Sequence, residues 1–367
     1  MKFTAEKSDL NEAVSNIQRA VSSKTSIPAL EGILISAKDD QLELCAYDLE
    51  LGITTVIPAK VQEPGKSVLS AKIFSDIVRK TPDPKIAVTV DEKEMATIES
   101  GCSRFSIIGI PAGEFPELPK LTDSTQIKLA GSLLRSMIRQ TVFAVAESDS
   151  KPIHQGSLFN IEEGKLDVVS VDGYRLAKRT EPIEFEESLS FVVPGKTLTE
   201  ILKLLKDSED PIEISAGQRH ILFKIDNYTV ISSLLEGEFL NYKATIPVSC
   251  KTNVVLRSRE AIESVERVSL LITDRLKSPV RCIFSDNEIK LLCTTSMGRA
   301  SDQLFVEMEG EEVEIGFNNR YLLDALRNTE CDEIKVGLSG PLSPMTIQPK
   351  EGDSFLFLVL PVRLKTE

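Results

Sequence analysis

The 367-residue chain is short of the side chains from which catalytic and metal sites are built. It has two histidines, His154 and His220, far apart in sequence, and six cysteines (Cys45, Cys102, Cys250, Cys282, Cys293, Cys331) with no C-x-x-C spacing. Metal-ligand and disulfide arithmetic both fail, so reduced and mostly buried thiols are expected, with no metal. No GxGxxG, no GxxxxGK phosphate loop, no HExxH and no GxSxG elbow occurs, which leaves no motif that calls for a cofactor. The longest apolar run, Phe355 to Val362, is too short to cross a bilayer, and MKFTAEKSDL lacks the basic start and apolar middle of a signal peptide. A cytoplasmic protein is expected. Positive charge is also in deficit, with 43 Lys and Arg against 56 Asp and Glu, a net charge of −13. That excludes a nucleic-acid binder relying on overall charge and leaves local basic patches open.

What the chain does have is repetition. GEFPEL at 113–118 returns as GEFLNY at 237–242, 124 residues later, and a third copy should fall near 361, where the sequence reads LVLPVRLKTE. At the same spacing VLSAKIFSDIVRK from Val68, VVPGKTLTEILKL from Val192 and GFNNRYLLDALRN from Gly316 align column by column. Lys72, Lys196 and Arg320 share one column, Asp76, Glu200 and Asp324 a second, and Arg79, Lys203 and Arg327 a third. On a helix these columns span about 60° of the circumference, with Phe74, Ile77, Val78 and their counterparts opposite. Each copy therefore predicts an amphipathic helix with a small charged face.

A second helix is expected to open each third, at Glu6–Val21, Ser132–Ala146 and Arg259–Ile272. Period-two runs such as IAVTV and RFSIIGI predict strands around them. The fold class is α+β: three similar domains in tandem, 1–123, 124–250 and 251–367, each with two helices packed on β-sheet. GEFPEL and GEFLNY read as exit turns between domains, Gly supplying the turn and Phe115 or Phe239 the anchor. An apolar LVLPVRL at a terminus frays unless it packs on something.

Two local features carry competing readings. Asp172-Gly173 in SVDGYRLAKR is the tip of a hairpin by default, yet Tyr174 and Arg175 then stand ready for surface recognition. The cationic columns read as ordinary helix-surface ion pairs, such as Lys72 with Asp76 and Asp76 with Arg79, or as a repeated face that gathers phosphates without reading bases.

MKFTAEKSDL, the three-fold repeat, VDGYRLA, GEFPEL, EIGFNNRYLLDAL at 314–326 and the terminal LPVRL together resemble the bacterial DNA polymerase sliding clamp, the beta subunit of the replicase. The resemblance covers essentially the whole chain. It implies a non-catalytic, head-to-tail homodimer, a six-domain ring around duplex DNA, and short-peptide binding of the polymerase, the clamp loader and other replication or repair proteins. By matching position it assigns DNA contact to Lys24, Lys72, Arg79, Lys80, Lys151, Lys196 and Lys203, with Arg320 and Arg327 sharing the basic columns.

The same matching places the partner-peptide pocket at His154, Val171, Gly173, Tyr174, Arg175, Leu176, Leu240, Asn318, Tyr321 and Leu342, together with the tail residues Leu358, Val359, Leu360, Pro361, Val362, Arg363 and Leu364. It places the dimer contact at Arg104, Phe105 and Ile107 against Leu271 and Ile272 of the partner chain. Leu240 stands where the family often has proline, His154 and Leu360 where other apolar residues are common, and Val171 for a frequent threonine. Two other classes compete: a hydrolase or transferase using Asp172 or His154 as a catalytic group, and an adaptor that binds peptides but never DNA.

Overall fold

The fold is described from a computed structural model that covers residues 1–22, 25–148, 151–273 and 275–364. Six α-helices lie among these residues, two per third of the chain: α1 (Lys7–Ile17), α2 (Ala71–Lys80), α3 (Gly131–Val142), α4 (Gly195–Leu204), α5 (Ser258–Ser269) and α6 (Asn319–Arg327). The repeated segments form α2, α4 and α6, with the faces their spacing predicts. Ala71, Phe74, Ile77 and Val78 are buried on α2, and Leu322, Leu323, Ala325 and Leu326 on α6. Asn318 starts α6 by accepting the N–H of Arg320 on its side-chain oxygen (2.9 Å).

The helices that open each third end sooner than their apolar spacing suggests. α1 gives way at Gln18 to a 3-10 turn, and α3 stops at Val142, where the N–H of Ala144 bonds the carbonyl of Thr141. Tightening of the last turn satisfies carbonyls that a helix end leaves open. The apolar period runs on because Ala144 and Ala146 are buried as loop residues.

The chain packs into two compact units, one of Met1–Ser132 with Glu200–Leu234, the other of Leu133–Thr199 with residues 235 onward. The first holds a five-stranded sheet, in the order Lys60–Glu63, Lys2–Glu6, Lys85–Val90, Met95–Ser100, Ser103–Ile108. It also holds an eight-stranded sheet whose middle joins two repeats: Tyr228–Ser233 pairs antiparallel with Leu51–Pro58, Val230 opposite Ile53. The second unit holds a nine-stranded sheet with the corresponding joint, Arg175–Pro182 against Phe355–Val359, Ala177 opposite Phe357. Its four-stranded sheet begins at Gly298–Phe305 and runs through Glu288–Thr295 and Val280–Ser285 to Val313–Phe317.

These joints obey the repeat. Leu51–Pro58, Arg175–Pro182 and Gly298–Phe305 occupy equivalent places, as do Ser103–Ile108, Tyr228–Ser233 and Phe355–Val359. In each joint the first kind of strand, from one repeat, pairs with the second kind from the next. One strand of each kind is left over among the described residues: Ser103–Ile108 and Gly298–Phe305, each an outer strand of its sheet.

Aliphatic and aromatic side chains fill both units. Phe3, Leu10, Ile33 and Phe74 are fully buried in the first, Phe317, Phe355 and Phe357 in the second. All six cysteines are unpaired, and burial pushes the Cys282 thiol up to about 12, out of reach of thiolate chemistry at neutral pH. No helix among the described residues is long and apolar enough to cross a membrane.

The two faces of α2 should respond oppositely to truncation. Phe74→Ala removes a fully buried ring and is expected to cost about 3–5 kcal/mol, whereas exposed Lys72→Ala should stay within about 0.5 kcal/mol. Urea unfolding followed by circular dichroism compares them; equal midpoints would contradict the assigned faces.

Candidate partner pocket and basic helix faces

The hairpin joining Lys165–Val171 to Arg175–Pro182 turns at Asp172, Gly173 and Tyr174. Asp172 holds the turn by accepting the N–H groups of Tyr174 (2.9 Å) and Arg175 (3.0 Å) on Oδ1. Gly173 has φ +85°, a conformation that disfavours a side chain. The hairpin reading of Asp172-Gly173 is therefore correct, and it presents Tyr174, 60 % exposed, at the tip.

Arg175 departs from the expectation that it stands ready at the surface. Its side chain is 11 % exposed, and its guanidinium donates to Asp172 (2.9 Å) and to Asp324 of α6. It lies over the ring of Tyr321 at 4.7 Å and over Phe143 at 5.6 Å. A planar, always-charged group with five donors suits this arrangement in a way lysine would not. Tyr174 and Tyr321 stack at 5.6 Å between centroids.

The tail is packed as far as Leu364. Beyond Phe355–Val359 the N–H of Leu360 bonds the carbonyl of Tyr174 (2.9 Å) and that of Val362 the carbonyl of Gly316 (2.7 Å). Leu364 lies over Gly316, where a Cβ would come within 2.6 Å of it. Strand pairing sets Leu176 opposite Leu358. Both join Val171, Ile153 and Tyr242 in a small apolar cluster, with Phe239 half-buried at its side. His154 is buried with its ring edge-on to Phe239 at 5.8 Å. Leu240 and Leu360 stand at the surface beside this cluster, 36 % and 37 % exposed.

An adjoining cleft of about 950 Å³ is bordered by Asp172, Tyr174, Arg175, Asn318, Tyr321 and Val362. Two neighbouring surfaces, one apolar and one mixed, thus hold most of the expected pocket residues. Pro361 is half-buried and Arg363 exposed. Leu342 is exposed in the turn before Met345–Pro349, apart from the cluster.

Phe143, Asp324 and Tyr242 were not singled out from the sequence. Asp324 sits in the repeated acidic column, whose other members each pair with a cation of their own helix, Asp76 with Arg79 and Glu200 with Lys203, so its reach to Arg175 was masked by the pattern. Tyr242 closes the repeated GEFLNY string. Its phenol donates to Asp167 (2.7 Å), and burial followed by that bond raises its pKa. At the two exit turns the anchors differ from expectation in one respect: Gly237 has φ +135°, while Gly113 sits in a 3-10 turn that makes no such demand.

The exposed cations of α2, α4 and α6 stand on the predicted faces. Arg79 pairs with Asp76, Lys203 with Glu200 at 2.8 Å, and Arg327 with Glu266 of α5 at 2.6 Å. Lys72, Lys80, Lys196 and Arg320 are exposed on the same helices, and Lys151 immediately precedes the 3-10 turn Pro152–Gln155. Lys24 lies outside the described residues.

Of the expected dimer residues, Arg104 and Phe105 are exposed on the outer strand Ser103–Ile108 and Ile107 is half-buried. Ile108 beside them is 65 % exposed. Leu271 and Ile272 pack half-buried on the core of their own unit, and Ile272 also borders the cleft.

Three successive stretches match the N-terminal, central and C-terminal domains of the DNA polymerase III beta subunit, at residues 1–119, 128–241 and 243–363. The chain is 34 % identical to the beta sliding clamp of Bacillus subtilis over 99 % of its own length and 100 % of that protein, and 33 % identical to the beta sliding clamp of Halalkalibacterium halodurans over the same shares. Among solved structures, the DNA polymerase sliding clamp of Bacillus subtilis matches with a TM-score of 0.95 at 33 % identity, covering all of both chains. A sliding clamp of Pseudomonas aeruginosa bound to griselimycin matches with a TM-score of 0.93 at 27 % identity, covering 99 % of this chain and 100 % of that one. With its three tandem α+β repeats, this chain belongs to the DNA polymerase III beta-subunit family, the bacterial sliding clamps.

Proposed function

We propose that the protein is a cytoplasmic processivity clamp whose three domains, 1–123, 124–250 and 251–367, close with those of a second copy into a ring around duplex DNA. It acts by holding, with no chemistry of its own, and tethers the polymerase, the clamp loader and other proteins through short peptides. The observation that carries this reading is the pair of leftover strands. A repeat joint needs one strand of each kind, and Gly298–Phe305 and Ser103–Ile108 are the two kinds, at opposite ends of the repeat series. Pairing one with the other on a second chain makes a head-to-tail contact, and two such contacts close a cyclic dimer. Phe105, Ile108 and Phe305 are exposed apolar side chains on these strands.

The basic faces suit sequence-independent contact. Their ion pairs are surface pairs, worth about 0–1 kcal/mol each, so a phosphate can take the place of the carboxylate at little cost. The whole chain carries a net charge of −13, so the surface away from these basic faces is more acidic still and discourages DNA. Retention on nicked circular plasmid, with release once the plasmid is linearised, tests topological holding; equal retention on both forms would favour simple adhesion.

Phe105→Ser with Ile108→Ser should leave each chain folded, because both side chains are exposed in the isolated protomer, and should shift sedimentation at sub-micromolar protein from dimer toward monomer. A persistent dimer would remove this strand from the contact.

Lys196→Glu with Lys203→Glu should shorten residence on circular DNA, and the difference should shrink as salt rises. Identical retention at low salt would reduce these lysines to surface ion pairs.

Removing residues 360–367 takes away Leu360, Pro361 and Val362. Affinity for a labelled QLxLF-type pentapeptide, read by fluorescence anisotropy, should fall by more than about 2 kcal/mol, since small apolar pockets concentrate binding in few anchors. Undiminished binding would sink the pocket assignment, and simultaneous loss of the dimer would mean that the tail chiefly supports its own unit.

A further inference from the structure

The segment that carries Leu240 runs from Leu235 to Thr245 with no regular structure except a closing 3-10 turn, Tyr242–Thr245. A loop of this kind has no ladder to fix it, so its position depends on individual anchors. Three are present. The N–H of Leu235 bonds the carbonyl of Val192 (3.0 Å), Phe239 packs edge-on to His154, and Tyr242 is buried among Val171, Leu176 and Leu358.

Tyr242 is the strongest of the three. Its ring lies in the apolar cluster while its hydroxyl donates to Oδ2 of Asp167 (2.7 Å) on the strand Lys165–Val171. Asp167 is itself held: Oδ1 accepts the hydroxyl of Thr180 (2.6 Å) and lies 3.5 Å from the ammonium of Lys178. Tyr242 also fixes its neighbours. Its N–H bonds the carbonyl of Leu240 (2.7 Å), two residues back, closing a tight turn at Asn241, and its carbonyl accepts from the hydroxyl of Thr245 (2.8 Å). Leu240 thus lies between two aromatic anchors, half-buried Phe239 and buried Tyr242, and its own side chain stays at the surface.

We infer that Tyr242, through its hydrogen bond to Asp167, is a positioning residue that presents Leu240 as one wall of the partner-peptide pocket. The inference rests on the pocket reading proposed above. Tyr242 does not itself line the peptide path; it sets the place of the side chain that does. A wall held in place before binding spares the peptide the ordering of a loop, and affinity depends on such preorganisation.

The test is a double-mutant cycle on the full chain with the labelled QLxLF-type pentapeptide. Tyr242→Phe keeps the ring in the cluster and deletes the hydrogen bond to the Asp167 carboxylate, so the peptide Kd should rise about five-fold. In the Leu240→Ala background the same change should leave Kd where Leu240→Ala alone put it, because there is no wall left to position. Amide exchange at Tyr242 should quicken in Tyr242→Phe, reporting the loosened turn, while DNA retention matches the parent. An unchanged Kd in Tyr242→Phe overturns the inference, and so does an equal loss in both backgrounds, which marks a general structural effect. Failure of the parent protein to bind the peptide at all overturns the pocket reading itself, and this inference with it.

Discussion

A β-strand at the edge of a sheet displays a row of main-chain donors and acceptors that must be paired, covered or kept short. In this chain that requirement is met between repeats. Within a repeat the strands leave one edge of each kind, and pairing of unlike edges from successive repeats produces the sheets of eight and nine strands. Within each repeat, α2, α4 or α6 buries an apolar face and exposes cations: Lys72 and Arg79, Lys196 and Lys203, Arg320 and Arg327.

The proposed partner pocket lies beside the second joint, where the chain continues differently from the first. At the first joint the incoming strand, Tyr228–Ser233, runs on into the segment that carries Phe239, Leu240 and Tyr242. At the second, the equivalent strand is Phe355–Val359. Its continuation instead folds back along Tyr174 and Gly316 and lies beside Leu176. The apolar terminus that looked unsatisfied in sequence is held by two main-chain bonds and a glycine that leaves room for Leu364.

The repeat, the class of fold and the buried side of each repeated helix were legible in the sequence, because a period of 3.6 with charges gathered in three columns has few structural solutions. Partnership between strands was not. A period of two says which side chains of Arg175–Pro182 face the core, but nothing about Phe355–Val359, some 180 residues away, as the neighbour. The role of Arg175 was obscured for a related reason: an exposed-looking Arg after a turn reads as available, and only the three-dimensional proximity of Asp324, Tyr321 and Phe143 enclosed it. The expected extent of α3 ran too far because burial of Ala144 and Ala146 in a loop imitates helical spacing.

The repeat joints differ in one respect that geometry alone does not express. Those at Leu51–Pro58 and Arg175–Pro182 link strands of a single chain, so each strand meets its mate at a fixed, high effective concentration and dilution cannot separate them. The joint proposed between Gly298–Phe305 and a second chain's Ser103–Ile108 has no such tether, and its occupancy follows protein concentration. In the proposed ring the seams are nearly equivalent, and covalent connectivity alone makes two of the six, those between chains, the ones the main chain does not hold.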